Sequence, residues 1–205
     1  MMANKQDIAK DLLDIKAVQI KTEGYFTWTS GLKSPIYCDN RLTMSYPAVR
    51  KKIAKAFAEK IAALDVQPDV IAGCATAGIP HAAWLAEELD LPMVYVRSKP
   101  KAHGKGNQIE GAIEKGQKAI VIEDLISTGG SSIESANALR DAGVEVIQVM
   151  AIFTYGLEKA KNNFAEANLS FSTISGFDQL VELLESEKEI TAADKEKLLD
   201  WRNHL

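Results

Sequence analysis

The sequence predicts an α/β fold, a parallel sheet flanked by helices, and three observations carry that prediction. Short apolar runs alternate with helical patterns from Val70 to Phe153, the order that builds parallel strands joined by right-handed crossovers. The run Ala119-Ile120-Val121-Ile122 shows no polar alternation, as a strand covered on both faces requires. Two of the runs lead through turns of small or hydroxyl residues, Gly73 to Gly78 and Ser127 to Ser132, into helices. A length of 205 residues suits one such domain with a small subdomain.

In chain order, residues 7–20 read as a helix with Ile8, Leu12 and Ile15 on one face. Residues 24–39 read as a short strand, a turn at Ser30-Gly31 and a second strand after Pro35. Val49, Ile53, Phe57, Ile61 and Leu64 mark an amphipathic helix over 46–64. Its basic run, Arg50, Lys51, Lys52 and Lys55, is read as a solvated face in preference to a partner site. A buried strand Val70-Ile71-Ala72 follows, then a helix from Ile79 to Leu89 in which His81 and Trp84 serve packing. Met93 to Val96 is the next strand.

Residues 97–108 carry Arg97, Lys99, Lys101, His103 and Lys105 with Pro100, Gly104 and Gly106, and no apolar side chain larger than Ala102. A segment of that kind cannot bury itself, and a cationic loop beside a polyanion site suits a lid. The strand at 119–122 is expected to end at the acids Glu123 and Asp124. Ile133, Ala136, Leu139 and Ala142 then mark a helix with Gly143 as its C-cap. Residues 145–153 read as a long strand, 156–164 as a helix, 169–174 as a strand and 176–186 as a helix. A last helix begins near Thr191 and carries Leu198, Leu199 and Trp201.

A net charge of −4 gives no reason to expect nucleic acid. Cys38 and Cys74 lack metal-ligand or redox spacing, which suits a reducing cytoplasm. No signal peptide and no apolar run of bilayer length is read, so no membrane association is expected.

The chemistry concentrates in residues 120–132. Gly129 and Gly130 let the backbone bend tightly and bring N–H groups close to a ligand, and a turn feeding a helix N-terminus attracts anions. Ser127, Thr128 and Ser131 add hydroxyl donors. Glu123 and Asp124 would repel that anion, so they fit as acceptors for sugar hydroxyls or outer ligands of a hard cation such as Mg²⁺. The ligand implied is a sugar bearing a phosphate and a diol. The turn is neither a P-loop nor a dinucleotide fingerprint. The plain alternative is a polar turn with a Ser131/Glu134 capping box. The turn at Thr76-Ala77 is a second candidate anion loop.

These residues resemble known patterns. Residues 120–132 resemble the phosphoribosyl pyrophosphate (PRPP) motif of the type I phosphoribosyltransferases. Phe26-Thr27, Ser30-Gly31 and Lys33-Ser34-Pro35 are similar to the hood of orotate phosphoribosyltransferases, and Arg97, Lys101 and His103-Gly104 to their catalytic loop. On these three segments the chain is identified as a member of the orotate phosphoribosyltransferase family. The resemblance implies the type I phosphoribosyltransferase fold, residues 1–205 forming a single domain. Its core spans approximately 46–175, and its hood combines approximately 1–45 with C-terminal elements.

The reaction implied joins orotate to PRPP, giving orotidine 5′-monophosphate and pyrophosphate. By resemblance the catalytic residues are Arg97, Lys101, His103 and Asp124. PRPP is held by Arg97, Lys101, His103, Thr76, Ala77, Glu123, Asp124, Leu125, Ile126, Ser127, Thr128, Gly129, Gly130 and Ser131, and orotate by Ser127, Lys33, Tyr37 and Cys38. Mg²⁺ is the cofactor, met by Glu123 and Asp124 indirectly through ribose hydroxyls or water. The resemblance further implies a cytoplasmic homodimer with shared active sites, the loop serving the neighbouring subunit. The chain departs from many members at Thr29, Ser98 and Ala77, where those carry Lys. Two alternatives share the fold: a purine-base transferase, opposed by the hood and loop patterns, and a PRPP-sensing regulator, opposed by the absence of a long basic stripe.

Overall fold

The structure is a computed structural model, and it describes residues 5–27, 31, 33–99 and 108–205, the side chains from Ile8 onward. Its centre is a six-stranded sheet of β5 (Val70–Cys74), β6 (Met93–Val96), β7 (Ile109–Glu110), β8 (Lys118–Ile126), β9 (Glu145–Thr154) and β10 (Phe171–Thr173), following four short strands described below. The order across it is β10-β9-β8-β5-β6-β7, parallel except for β7. β7 pairs antiparallel with β6 and is too short to be read from the sequence.

From β5 the chain winds outward through α3 (Gly78–Leu89) to β6. It then returns to β8 on the other side of β5 and winds the opposite way through α4 (Gly130–Asp141), β9 and α5 (Glu158–Glu166) to β10. That reversal makes the carboxyl ends of β5 and β8 a topological switch point, where open α/β sheets form their ligand crevice.

Alternation along the strands sorts the core into two layers. Ile71, Ile120, Ile122, Met150 and Ile152 face a layer built with α2 (Pro47–Ala62) and α3, through Ile53, Phe57 and Leu85. The same layer includes α1 (Lys5–Asp14), α6 (Phe177–Ser186) and α7 (Ala192–Asn203). Val70, Ala72, Val121, Val149 and Ala151 face the other layer, where α4 and α5 contribute Leu139 and Phe164. α7 starts with a capping box in which the Thr191 hydroxyl and Asp194 carboxylate each accept the other's backbone N–H.

The N-terminal region differs from expectation in two ways. The first helix stops at Asp14, because Lys16 takes a left-handed backbone (φ 59°) that no α-helix can continue. Residues 18–20, expected to be helical, form β1 (Val18–Ile20) instead. Furthermore, β2 (Phe26–Thr27) pairs with β3 (Lys33–Ser34), whereas β4 (Ile36–Cys38) pairs antiparallel with β1. The buried Ser34 hydroxyl makes this switch of partners, donating to the Ile36 carbonyl at 2.8 Å and accepting the Ile36 N–H at 3.1 Å across Pro35. Ser30 of the expected turn lies outside the described residues.

The basic run on α2 is partly engaged in contacts at the surface of the same chain. Lys52 pairs with Asp11 at 2.7 Å, while Arg50 donates to the Met44 carbonyl and lies over the Trp84 ring. Lys51 and Lys55 are exposed as expected. His81 is buried, edge-on to Trp84 with 5.3 Å between ring centroids, and its Nε2 lies 3.3 Å from the Thr43 hydroxyl. Both rings serve packing.

Candidate functional site

The acid pair does not end its strand. β8 continues through Glu123 and Asp124 to Ile126, because β9 supplies partners up to Thr154. On the other side β5 pairs only as far as Gly73 with Ile122. Beyond Ile122, therefore, β8 has one edge held by β9 and one edge without β5. The start of α3 closes against that edge: a Cβ on Gly78 would stand 2.3 Å from the Ile122 carbonyl oxygen, so only glycine lets the loop come so near.

The overhang floors a cleft of about 360 Å³ lined by Ala75, Thr76 and Ala77, by Glu123, Asp124, Leu125 and Ser131, and by Cys38, Asp39 and Arg41. The acid pair with the start of α4, the Thr76-Ala77 loop and the end of strand β4 thus converge from three separate stretches. Successive strand residues point to opposite faces. The Glu123 carboxylate accepts from the Ser131 hydroxyl at 2.9 Å and from the Asp124 N–H at 3.0 Å. On the hood side, the Asn40 amide donates to the Asp124 carbonyl at 2.7 Å. Ser131 is therefore committed to Glu123 and forms no capping box with Glu134; α4 has no side-chain cap.

Electrostatics follow from this burial. Glu123 is 6 % exposed, and desolvation, then the charge of Asp124, pushes its carboxyl up to about 8. Desolvation also raises Asp124 above the ordinary carboxylate range. Two adjacent carboxyls, one buried and one half-buried, cannot both ionise cheaply without a counter-charge or added donors. Burial therefore favours the protonated form of the pair, and hydroxyl donors or cationic ligands favour release of that proton. Beneath it, burial beside Glu123 pushes the Cys74 thiol well above its usual value.

The turn after β8 has its outward side occupied. The Thr128 carbonyl accepts from the Asn163 amide at 2.9 Å, and the Gly129 carbonyl accepts from the Ser132 hydroxyl and the Ile133 N–H. Helix geometry leaves the first N–H groups of α4, at Gly130, Ser131 and Ser132, without intrahelical acceptors. Gly129 has φ +84°, and a Cβ there would strike the Phe164 ring at 2.4 Å. At exposed Gly130 a Cβ would meet nothing within 4 Å.

Of the residues expected in the site, Cys38, Thr76, Ala77, Glu123, Asp124, Leu125 and Ser131 line one cleft. Ser127, Thr128, Gly129 and Gly130 form the adjoining turn. Ile126 stands apart: its side chain is fully buried, and its carbonyl accepts from the Thr154 hydroxyl and the Tyr155 N–H. Tyr37 is exposed next to the cleft, with its ring 5.8 Å from that of Phe26. Lys33 donates to the Thr27 hydroxyl at 2.7 Å and is not among the lining residues. Arg97 closes the foot of the cationic segment: its N–H and carbonyl both bond Gln108, and its guanidinium lies 3.5 Å from Glu110. Lys101 and His103 lie outside the described residues.

Asp39, Asn40 and Arg41 were not foreseen. Their signal in the sequence is a polar triplet directly after the second hood strand. Among the described residues no cluster of three or more His, Cys, Asp or Glu side chains can hold a metal ion. Two carboxylates alone fit a hard cation only when the substrate supplies most of the oxygens. None of the described helices is long and apolar enough to cross a membrane.

Comparison with known proteins gives concordant results. A family model described as the phosphoribosyl transferase domain matches residues 44–182. An orotate phosphoribosyltransferase of Oceanobacillus iheyensis is 62% identical over 202 residues, covering 98% of this chain and all of that protein. The solved UMP synthase of Leishmania donovani superposes with a TM-score of 0.79 at 30% identity, over 98% of this chain and 42% of that one. The orotate phosphoribosyltransferase of Aeropyrum pernix gives 0.75 at 28% identity, over 90% of this chain and 99% of that one.

Proposed function

We infer the chemistry of the cleft from one premise: the chain belongs to the phosphoribosyl transferase family, with an orotate phosphoribosyltransferase as a relative over nearly its whole length. It transfers the phosphoribosyl group of PRPP to orotate, giving orotidine 5′-monophosphate and pyrophosphate. The observation that carries the reading is the meeting, at one switch point, of an acid pair with two backbone anion loops. That set matches a ligand with a diol flanked by a phosphate and a pyrophosphate.

The residues divide the substrate among them. The N–H groups at the start of α4, that of Ser131 among them, and the hydroxyls of Ser127 and Thr128 take the 5′-phosphate, where helix dipole and unpaired donors add, while the Ser131 hydroxyl stays on Glu123. Glu123 and Asp124 take the ribose hydroxyls, whose donors favour the ionised carboxylates that burial disfavours. Thr76 and Ala77, ahead of α3, offer backbone N–H groups to the pyrophosphate; α3 likewise has no side-chain cap. Tyr37, Cys38, Lys33 and Ser127 define the base side of the cleft.

Breaking the anomeric C–O bond places positive character on the ribose and further negative charge on the departing pyrophosphate. Arg97, Lys101 and His103 stabilise that charge, and the buried acid pair stabilises the cationic ribose. No covalent nucleophile is required. When bound, Mg²⁺ supplies additional charge neutralisation on the pyrophosphate, with Glu123 and Asp124 approached through ribose hydroxyls or water. The hood strands and the segment after Arg97 exclude water that would otherwise capture the ribose. The enzyme acts in the cytoplasm as a homodimer, with Lys101 serving the partner's site.

PRPP-dependent loss of orotate, measured beside uracil and hypoxanthine and with excess EDTA, tests this reading. Faster reaction of either other base would overturn the substrate assignment. A rate indifferent to EDTA would overturn the magnesium assignment.

A further inference from the structure

We propose that Arg41 receives the carboxylate of orotate and is the residue by which the cleft separates orotate from uracil. The proposal rests on the orotate reading above and names a contact within it. Among the described residues lining the cleft the charged ones are Asp39, Glu123, Asp124 and Arg41, three acids against a single base. An anionic pyrimidine entering beside the carboxyls of buried Glu123 and half-buried Asp124 needs a compensating cation, and among the described residues Arg41 is the one that lines this space.

Its geometry suits the task. The guanidinium is oriented by Asp39, Nε donating to Oδ1 at 2.6 Å and Nη2 to Oδ2 at 2.8 Å. Asp39 Oδ1 also accepts the Arg41 backbone N–H at 3.2 Å, fixing both residues at the start of the 3-10 helix Asn40–Ser45. Only one edge of the guanidinium is used. Nη1 makes no hydrogen bond or ion pair among the described residues, so a second edge remains to fork a planar carboxylate. The side chain is 63% exposed, which argues against a purely structural clamp.

Position favours the base over the phosphates. Arg41 lies three residues after Cys38, on the segment that leaves hood strand β4, and the phosphate turn approaches from α4. Both phosphate loops already carry backbone donors at helix N-termini, whereas on the base side Lys33 is held on the Thr27 hydroxyl and, among the described residues, no other cation lines the cleft. A guanidinium held by a carboxylate is also stiff, so little freedom is lost when a second carboxylate binds.

Orotidine 5′-monophosphate and uridine 5′-monophosphate test the idea, since they differ only in the carboxylate. Calorimetric affinities of both are measured for wild type, Arg41→Gln and Arg41→Lys, with orotate and PRPP KM values alongside. Arg41→Gln is expected to weaken orotidine 5′-monophosphate about tenfold or more, as loss of a charge-assisted fork does, and to leave uridine 5′-monophosphate unchanged. Arg41→Lys should fall between, and KM should rise for orotate but not for PRPP. Equal losses for both nucleotides would place Arg41 on the phosphoribosyl group and overturn the proposal. An unchanged affinity ratio would overturn it too. A wild type with no orotate turnover would sink the functional reading as well, whereas an active wild type with an indifferent Arg41→Gln sinks this inference alone.

Discussion

The adjacent glycines in the turn after β8 should fail in opposite ways. At Gly129 an alanine must adopt φ +84° and place its Cβ 2.4 Å from Phe164 Cε2. Phe164 cannot swing away, because it is buried and stacked on Phe171 with ring centroids 4.4 Å apart. The left-handed backbone costs about 1–2 kcal/mol and the overpacking about 1–3 kcal/mol, so Gly129→Ala should lose about 2–5 kcal/mol. For a domain of this size that is a fall in Tm of about 5–20 °C. At Gly130 the φ is not left-handed and the new Cβ meets open space at the start of α4, so Tm should hold or rise slightly. That same Cβ, however, enters the space proposed above for the 5′-phosphate, and on that reading PRPP affinity should fall roughly tenfold or more. Thermal unfolding of the free proteins and PRPP titration of both variants separate the two effects. If Gly130→Ala bound PRPP like wild type, the open space beside it would not be the phosphate's. If Gly129→Ala melted within about 2 °C of wild type, the packing argument would be wrong.

Two further predictions concern the acids and the lid. Glu123 has a carboxyl raised from 4.5 to about 8 in the fold. Between those values the unfolded chain is ionised while the native one keeps its proton, so this group removes stability as pH rises. Glu123→Gln should therefore stabilise the ligand-free protein by a few kcal/mol at pH 8 and by much less at pH 5.5, read by urea unfolding at both pH values. An equal gain at both would deny the raised pKa. For the lid, Lys101→Ala and Asp124→Asn proteins, each nearly inactive, are refolded together. If the loop acts in trans, one site of each mixed dimer carries neither lesion, and about a quarter of wild-type activity per site returns. No recovery with mixed dimers present by mass refutes the shared site.

The parallel sheet was legible because strands covered on both faces read as unbroken apolar runs, and Val70 to Ala72 and Ala119 to Ile122 are such runs, lying within strands β5 and β8. The turn after β8 stood out as a candidate anion site because its residues are contiguous: one stretch supplies the acids, hydroxyls and glycines together. The first helix was overextended because apolar spacing continues past Asp14, and nothing in the local pattern announces that Lys16 will take a left-handed backbone. The polar triplet Asp39-Asn40-Arg41 was passed over for a related reason. Its meaning lies in packing against Asp124, 84 positions further along the chain in the case of Asn40, which no local pattern records.

The same limit explains the misplaced end of β8 and shows how the cleft arises. A change from Ile122 to Glu123 looks like a strand giving way to a loop when polarity alone is read. What ends a strand, however, is the loss of ladder partners, and β9 has ten residues to offer where β5 has five. β8 follows its longer neighbour and overhangs its shorter one. The backbone of Glu123 and Asp124 therefore stays held on one side by β9 while its other edge faces the space vacated by β5. Two carboxyls on a rigid ladder are oriented more firmly than two on a loop could be, and their burial on that ladder is what raises their proton affinity until a ligand arrives. The mismatch in strand length thus provides both the cavity and the stiffness of its floor.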